Sequence, residues 1–545
     1  MKVITKFAFV CALVVASTGI ALAQDTRTVA EPTIPPACTA LRAELASVSG
    51  SLSEADESRL DTQRIQDAID NCQPGKAVVL RGDGSHNSFL SGPLELRRGV
   101  TLVVDSGATL FASRDPKLFD KGSGTCGKVT PKDGRGCRPL INVVGAPDAG
   151  VMGDGMIDAR GGSKLLGKDV SWWDLAQQAK VSSEYQNCPR MIVADRADNF
   201  TLYRITLKNS PNFHVIVMRT NGFTAWGVKI NSPKTARNTD GIDPSSSTNV
   251  SILYSFIHAG DDNVAVKAGS NGPAAHITVA HDHFYTGHGM SIGSETNGNV
   301  EYLEVKDMTI DGADNGIRVK SNSTRGGFVR KVSYQDVCIR NTKEPIVIDP
   351  FYSKERGTLV PNFDDITLRD VHVLSPGKIS LLGTDDYHRS RITLDGVQVD
   401  GYQPKLLRAA HARITVGPNG LNFTPTGEDV VVEGKTGTAN APACDESRFA
   451  PFPDEAQSGA KTVSRKSDVT VAAEGPADFR SVQQAIDQLP ETGGTVHITP
   501  GTYREVVEVK TPHVHLIGDP ADPASVVIVY DKSAGTSGGT FKSYT

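Results

Sequence analysis

Aromatic residues are scarce in this chain: 18 Phe, 12 Tyr and 3 Trp make up 6% of 545 residues. The core must therefore rest on Val, Ile, Leu and Ala, which favours many short strands in small layers over a few large helices. An excess of positive charge is missing too, since 57 Lys and Arg face 62 Asp and Glu for a net charge of −5. A nucleic-acid partner finds no electrostatic support, and an acidic ligand must be met by locally placed cations. Past the N-terminus no apolar run is long enough to span a bilayer, so no membrane partner is expected. With 38% hydrophobic residues the chain is also too apolar for a disordered one. At roughly 150 residues per domain the length suggests three or four domains, a ratio that repeat folds break.

The N-terminus pairs Lys2 and Lys6 with an apolar run from Phe7 to Ala16 and the small-residue site Ala21-Leu22-Ala23. This reads as a secretory signal peptide over residues 1–23, cleaved after Ala23, and implies an extracellular protein. Cys11 leaves with it, so seven of the 8 cysteines remain, an odd number where disulfides form. Cys126 and Cys137 bracket a Gly-rich loop, and Cys38 precedes a helix-like segment ending at Cys72; bridges are expected at both places. Cys188, Cys338 and Cys444 are left unassigned, Cys338 reading as a buried thiol within a strand.

Short β-type triplets recur at Phe200, Phe223, Val250, Ile277, Leu303, Val332 and Ile366, at intervals of 23, 27, 27, 26, 29 and 34 residues. Further strand-like pieces separated by Asn, Asp and Gly turns fill each interval. Such a pattern is that of a solenoid of parallel strands, each coil burying its inner face against the next. A propeller would need hairpins and aromatic motifs that are missing here. The one helix signal, Thr62 to Cys72, precedes what reads as the first strand, Ala77-Val78-Val79-Leu80, and would cap the open end of the solenoid. The expected layout is an all-β solenoid over 36–433, a linker over 434–467 rich in Gly, Thr, Ala, Pro and Lys, and an incomplete second solenoid over 468–545.

Charged groups recur at coil-length spacing. Asn238-Thr239-Asp240, Gly260-Asp261-Asp262, Gly287-His288-Gly289 and Arg318-Val319-Lys320 follow one another, with steps of 21, 27 and 30 residues between Asp240, Asp261, His288 and Arg318. Taken singly each is ordinary, a turn or a solvated strand face. Jointly they place three acids, an imidazole and two cations on one strip, an arrangement costly for stability alone. Paired carboxylates suit glycoside hydrolysis, in which one protonated acid serves the leaving oxygen and an ionised one activates water. Neighbouring negative charge would raise the proton affinity of the donor. His288, between glycines that permit close approach, would tune that proton. Arg318 and Lys320, sharing a strand face, would meet a sugar carboxylate.

This ordered set resembles the signature of the polygalacturonases, glycoside hydrolase family 28. The resemblance runs from about Thr62 to Pro350-Phe351-Tyr352, and Trp172-Trp173-Asp174, Asn209 to His214 and Ser291 to Glu295 are similar to bacterial endo-acting members. It implies a right-handed parallel β-helix and inverting hydrolysis of α-1,4 bonds in polygalacturonate or demethylated pectin, by a monomer needing no cofactor or metal. Asp261 would be the general acid, Asp240 and Asp262 would position water, and His288 would support the acid. Asn238, Arg318, Lys320 and Tyr352 would bind substrate. Asp478 to Ile486, Pro500 to Glu505 and Gly538-Gly539-Thr540-Phe541 resemble the start of a pectin methylesterase, without that family's catalytic residues, so no esterase activity is expected. A calcium-dependent pectate lyase and a non-catalytic polysaccharide-binding solenoid are the competing readings.

Overall fold

The computed structural model describes residues 24–453 and 467–530, apart from 49, 133, 474–476, 488, 491–492 and 510–511. The signal peptide expected at 1–23 and the Gly538-Gly539-Thr540-Phe541 motif lie outside the described residues. The described residues up to Ala450 form one compact unit and those from Pro451 a second.

In the first unit parallel strands stack coil on coil in three columns. One column holds Ile192–Asp195, Val215–Met218, Ile242–Ser245, Val264–Val266, Met290–Ile292, Asn315–Lys320 and Glu344–Asp349. Its inner positions are register-paired in the order Ile192, Val215, Ile242, Val264, Met290, Ile317, Ile346. All seven side chains are buried. The sequence triplets form a second column, Phe200, Phe223, Val250, Ile277, Leu303, Val332 and Ile366 pairing in turn. There the Phe200 and Phe223 rings stack at 5.8 Å. Branched side chains fill such a ladder because each coil offers the next the same pleated surface. The fold is the expected parallel β-helix, right-handed as twisted parallel crossovers are.

The capping helix spans Thr62–Asp70 with Ile65 and Ile69 buried, two residues shorter than the sequence pattern suggested. The Cys38–Cys72 and Cys126–Cys137 bridges are both present. Ala77 does not open the solenoid: strand Ala37–Arg42 precedes the helix and pairs with Lys76–Arg81. Ahead of it, the Asp25 amide donates to Thr278 Oγ1 at 3.0 Å and the Tyr203 hydroxyl to Glu31 at 2.7 Å, so residues before 36 also lie along the solenoid. A helix not anticipated from the sequence, Trp172–Ser182, starts at a capping box formed by Ser171 and Asp174.

Two expectations are corrected at the C-terminal end of this unit. Cys338 is not a free thiol; it is bridged to Cys444, and among the described residues the free cysteine is the buried Cys188. Nor is 434–450 linker. Besides Cys444, Arg448 reaches Asp307 at 3.0 Å and Asp336 at 2.8 Å, and Phe449 is buried. Composition misled here because these few anchors are scattered among Gly, Thr and Pro. The bridge closes a sequence separation of 106, so replacing both cysteines by serine is expected to cost about 2–4 kcal/mol in denaturant unfolding.

In the second unit Asp468–Val471, Gly494–Ile498 and Val514–Ile517 pair in parallel, as do Gly501–Arg504 and Val526–Val529. Helix Val482–Asp487 contributes Val482 and Ala485 to a small core with Val469, Val471 and Val496. No helix of the described residues is long and apolar enough to cross a membrane.

Candidate active site

Asp240, Asp262 and His288 each stand two residues before the register-paired Ile242, Val264 and Met290, so parallel stacking lines them up at one edge of the first column. Arg318 pairs with Ser291 one coil on, and Lys320 follows on the same strand face. Coil periodicity thus gathers groups that are 80 residues apart in sequence, from Asp240 to Lys320. All four motifs meet as the spacing predicted.

Asp262 is the hub. It accepts from Lys320 Nζ at 2.7 Å, Ser291 Oγ at 2.7 Å and Arg318 Nη1 at 3.3 Å. His288 Nδ1 lies 3.0 Å from Asp261 Oδ1, and the Asn238 amide donates to the other Asp261 oxygen at 3.3 Å. Gln186 Nε2 in turn donates to Asn238 at 3.0 Å. Tyr352 places its ring centroid 5.3 Å from the Arg318 guanidinium carbon and 5.1 Å from Lys320 Nζ. The flanking glycines are needed: Gly289 has φ +70°, and a Cβ there would sit 2.2 Å from the Gly316 carbonyl oxygen.

A buried lysine joins the set. Lys267 Nζ lies 2.6 Å from Asp243 and 3.3 Å from Asp240, both carboxylates fully enclosed. Asp240 Oδ1 and Asp243 Oδ1 have no hydrogen-bond partner among the described residues. His214, buried, contacts the Asp240 carbonyl through Nδ1 at 3.0 Å and Ser232 Oγ through Nε2 at 2.9 Å. Burial pulls its pKa down to about 4, so a neutral ring donates through Nδ1 to Asp240 and accepts from Ser232. Lys267, Asp243, Ser291, Gln186 and His214 were missed in the sequence. Strand parity could have found the first three, since Asp243, Ser291 and Lys267 alternate with inward Ile242, Ile292 and Val266. No local signal marks Gln186.

The carboxylates divide by environment. Burial, with the negative charges of Asp243 and Asp261, pushes Asp240 well above the usual range against the pull of Lys267. Burial pushes Asp243 up to about 6 despite Lys267. Burial acts on Asp262 too, but Lys320 and Arg318 override it and hold this carboxyl well below the usual range. Asp261 differs from the sequence expectation of a raised donor. Burial lifts it, yet the His288 hydrogen bond and the nearby cations bring it net below its ordinary value. The cluster therefore sets carboxyls of raised and lowered proton affinity side by side in one groove, the condition for acid–base work.

Donor atoms of Asp261, Asp262 and His288 all lie within 4.8 Å of one another, close enough to share a cation. Lys320 and Arg318 already neutralise Asp262, which disfavours added positive charge there. A second such set, Asp386, His411 and Asp429, has Arg389 paired to Asp429.

Residues 89–414 match the family described as Glycosyl hydrolases family 28. The chain is 41% identical over 483 residues to a polygalacturonase of Ralstonia nicotianae, spanning 76% of this chain and 91% of that protein. It is 45% identical over 380 residues to an endo-polygalacturonase of Pectobacterium parmentieri, spanning 70% of this chain and 90% of that one. The solved structure of a polygalacturonase from Erwinia carotovora ssp. carotovora superimposes with a TM-score of 0.66 at 44% identity, covering 71% of this chain and all of that one.

Proposed function

The chain belongs to glycoside hydrolase family 28 as a polygalacturonase, and on that premise we propose that it cleaves internal α-1,4 bonds of polygalacturonate by inverting hydrolysis. The observation that carries the mechanism is the convergence of Asp240, Asp261 and Asp262 with His288, Arg318 and Lys320 in one strip. Asp261 is the general acid. Asp240 and Asp262 orient the attacking water, His288 supports Asp261, and Asn238 holds its second oxygen. Arg318, Lys320 and Tyr352 seat a uronate ring and its carboxylate.

In the free protein burial and like charge raise the proton affinity of Asp240, while the His288 contact and Lys320 lower that of Asp261. A uronate carboxylate seated on Arg318 and Lys320 weakens the hold of Lys320 on Asp261 and displaces water from it, and both raise its proton affinity. Asp261 thereby holds the proton it donates, while Lys267 favours the ionised form of Asp240. Asp261 then protonates the leaving oxygen while the water, giving up its proton to the opposing carboxylate, attacks the anomeric carbon.

The sequence of residues 1–23 supports secretion, and the 45% identity to an endo-acting relative supports internal cleavage. The parallel strands after Asp468 support a methylesterase-like second unit, distinct from the solenoid that runs to Ala450. Reducing-end release from polygalacturonate tests the reading, with NMR of the first-formed anomer reporting inversion. An unsaturated, ultraviolet-absorbing product would establish elimination and overturn it. Lys320→Ala is expected to raise KM about 10–100-fold, since a charge-assisted contact to substrate is removed, and to lower kcat as well, because Asp262 loses its partner at 2.7 Å; initial rates read both.

A further inference from the structure

Upstream of Asp240 the same column edge continues. Arg190 and Phe213 stand two residues before the paired Ile192 and Val215, so the edge runs Arg190, Phe213, Asp240, Asp262, His288. At roughly 4.8 Å per coil, Arg190 is about 10 Å from Asp240 along the solenoid axis. Arg318 and Lys320 lie on the opposite side, beyond His288.

Arg190 is half-buried, and its guanidinium makes no hydrogen bond or ion pair with any described residue. It rests on the Phe213 ring at 5.4 Å, while Lys267 lies 4.7 Å from the same ring centroid. Its N–H donors have no acceptor among the described residues and none of them is sealed from solvent, so an anion brought by a ligand can reach the fork. Burial pulls the guanidinium below its ordinary range, opposed by Asp243 and Asp240. Contact with the Phe213 ring limits where the guanidinium can lie, and a planar fork of this kind matches a planar oxyanion.

We propose that Arg190 is a carboxylate-binding residue for a second uronate unit, on the far side of the scissile bond from Arg318 and Lys320. The inference rests on the polygalacturonate reading above and deepens it. Bonds with a carboxylate on each side engage both cationic poles. A chain whose unit at the Arg190 position is methyl-esterified loses one of them, so Arg190 makes the groove selective for consecutive free carboxylates.

The test uses the full chain carrying Asp261→Asn, with and without Arg190→Gln, and oligogalacturonates titrated in a calorimeter. Arg190→Gln is expected to weaken binding about 10-fold or more, the scale of a lost charge-assisted pair. Arg190→Lys should restore part of it. The thermal midpoint should stay level or rise, because an unpartnered cation is removed; a structural arginine would lower it. Equal binding with and without Arg190 overturns the assignment alone. Failure of the Asp261→Asn protein itself to bind, with no hydrolysis by the unaltered chain, overturns it together with the underlying reading.

Discussion

Asp261→Asn is expected to lower kcat on polygalacturonate about 10³-fold, within the range that general acid catalysis supplies. The amide keeps the size of the carboxylate but has no proton to give the leaving oxygen. Folding should be unaffected, because the substitution removes one of the negative charges that crowd Asp240. KM should change little, since Arg318, Lys320 and Tyr352 are untouched. Reducing-end assays at matched protein concentration, with circular dichroism as the fold control, give the answer. A variant retaining more than about a tenth of the activity would remove Asp261 from the acid role, which the loss range for such groups does not accommodate.

The proton inventory makes this test more than a formality. Among the site carboxyls it is Asp240, not Asp261, that burial and like charge push upward in the free protein. Should Asp240→Asn abolish turnover while Asp261→Asn leaves it intact, donor and base exchange places.

Much of this site was legible in the sequence for one physical reason: in a solenoid, spacing along the chain converts into adjacency across coils. Asp240, Asp262 and His288 could be aligned by counting, and the triplets from Phe200 to Ile366 proved to be one column in register. Groups fixed by excursions from the coil had no such periodicity. Gln186 comes from a short strand pairing Tyr185–Gln186 with Val129–Thr130, outside the repeat. The Trp172–Ser182 helix buries Trp172, Leu175, Ala176 and Ala179 at helical spacing, a short stripe half made of alanine, and starts at its Ser171–Asp174 cap. Cys338 and Cys444, 106 residues apart, meet only because the tail folds back. Electrostatics was the least legible, because the sign of the Asp261 shift depends on a His288 contact at 3.0 Å that residue types do not specify.

Lys267→Met is expected to have the largest effect on stability. Lys267 is the cation within reach of both enclosed carboxylates, Asp243 at 2.6 Å and Asp240 at 3.3 Å. Removing one partner of a buried pair typically costs about 3–5 kcal/mol, since the remaining charge is left uncompensated. The sign of the pH dependence follows from the raised carboxyls. Asp243 titrates at about 6 in the folded protein, above its unfolded value, so the folded state binds more protons and its stability falls as pH rises between those values. Without Lys267 both carboxyls rise further and the window of loss extends upward. The deficit against the unaltered chain should therefore be smaller near pH 4, below the Asp243 value of about 6, than above about pH 7, where Asp243 of the unaltered chain is ionised and paired with Lys267. Paired thermal melts across that interval measure it. A deficit equal at both ends would mean that Lys267 contributes through packing on Phe213 alone, where its Nζ lies 4.7 Å from the ring centroid.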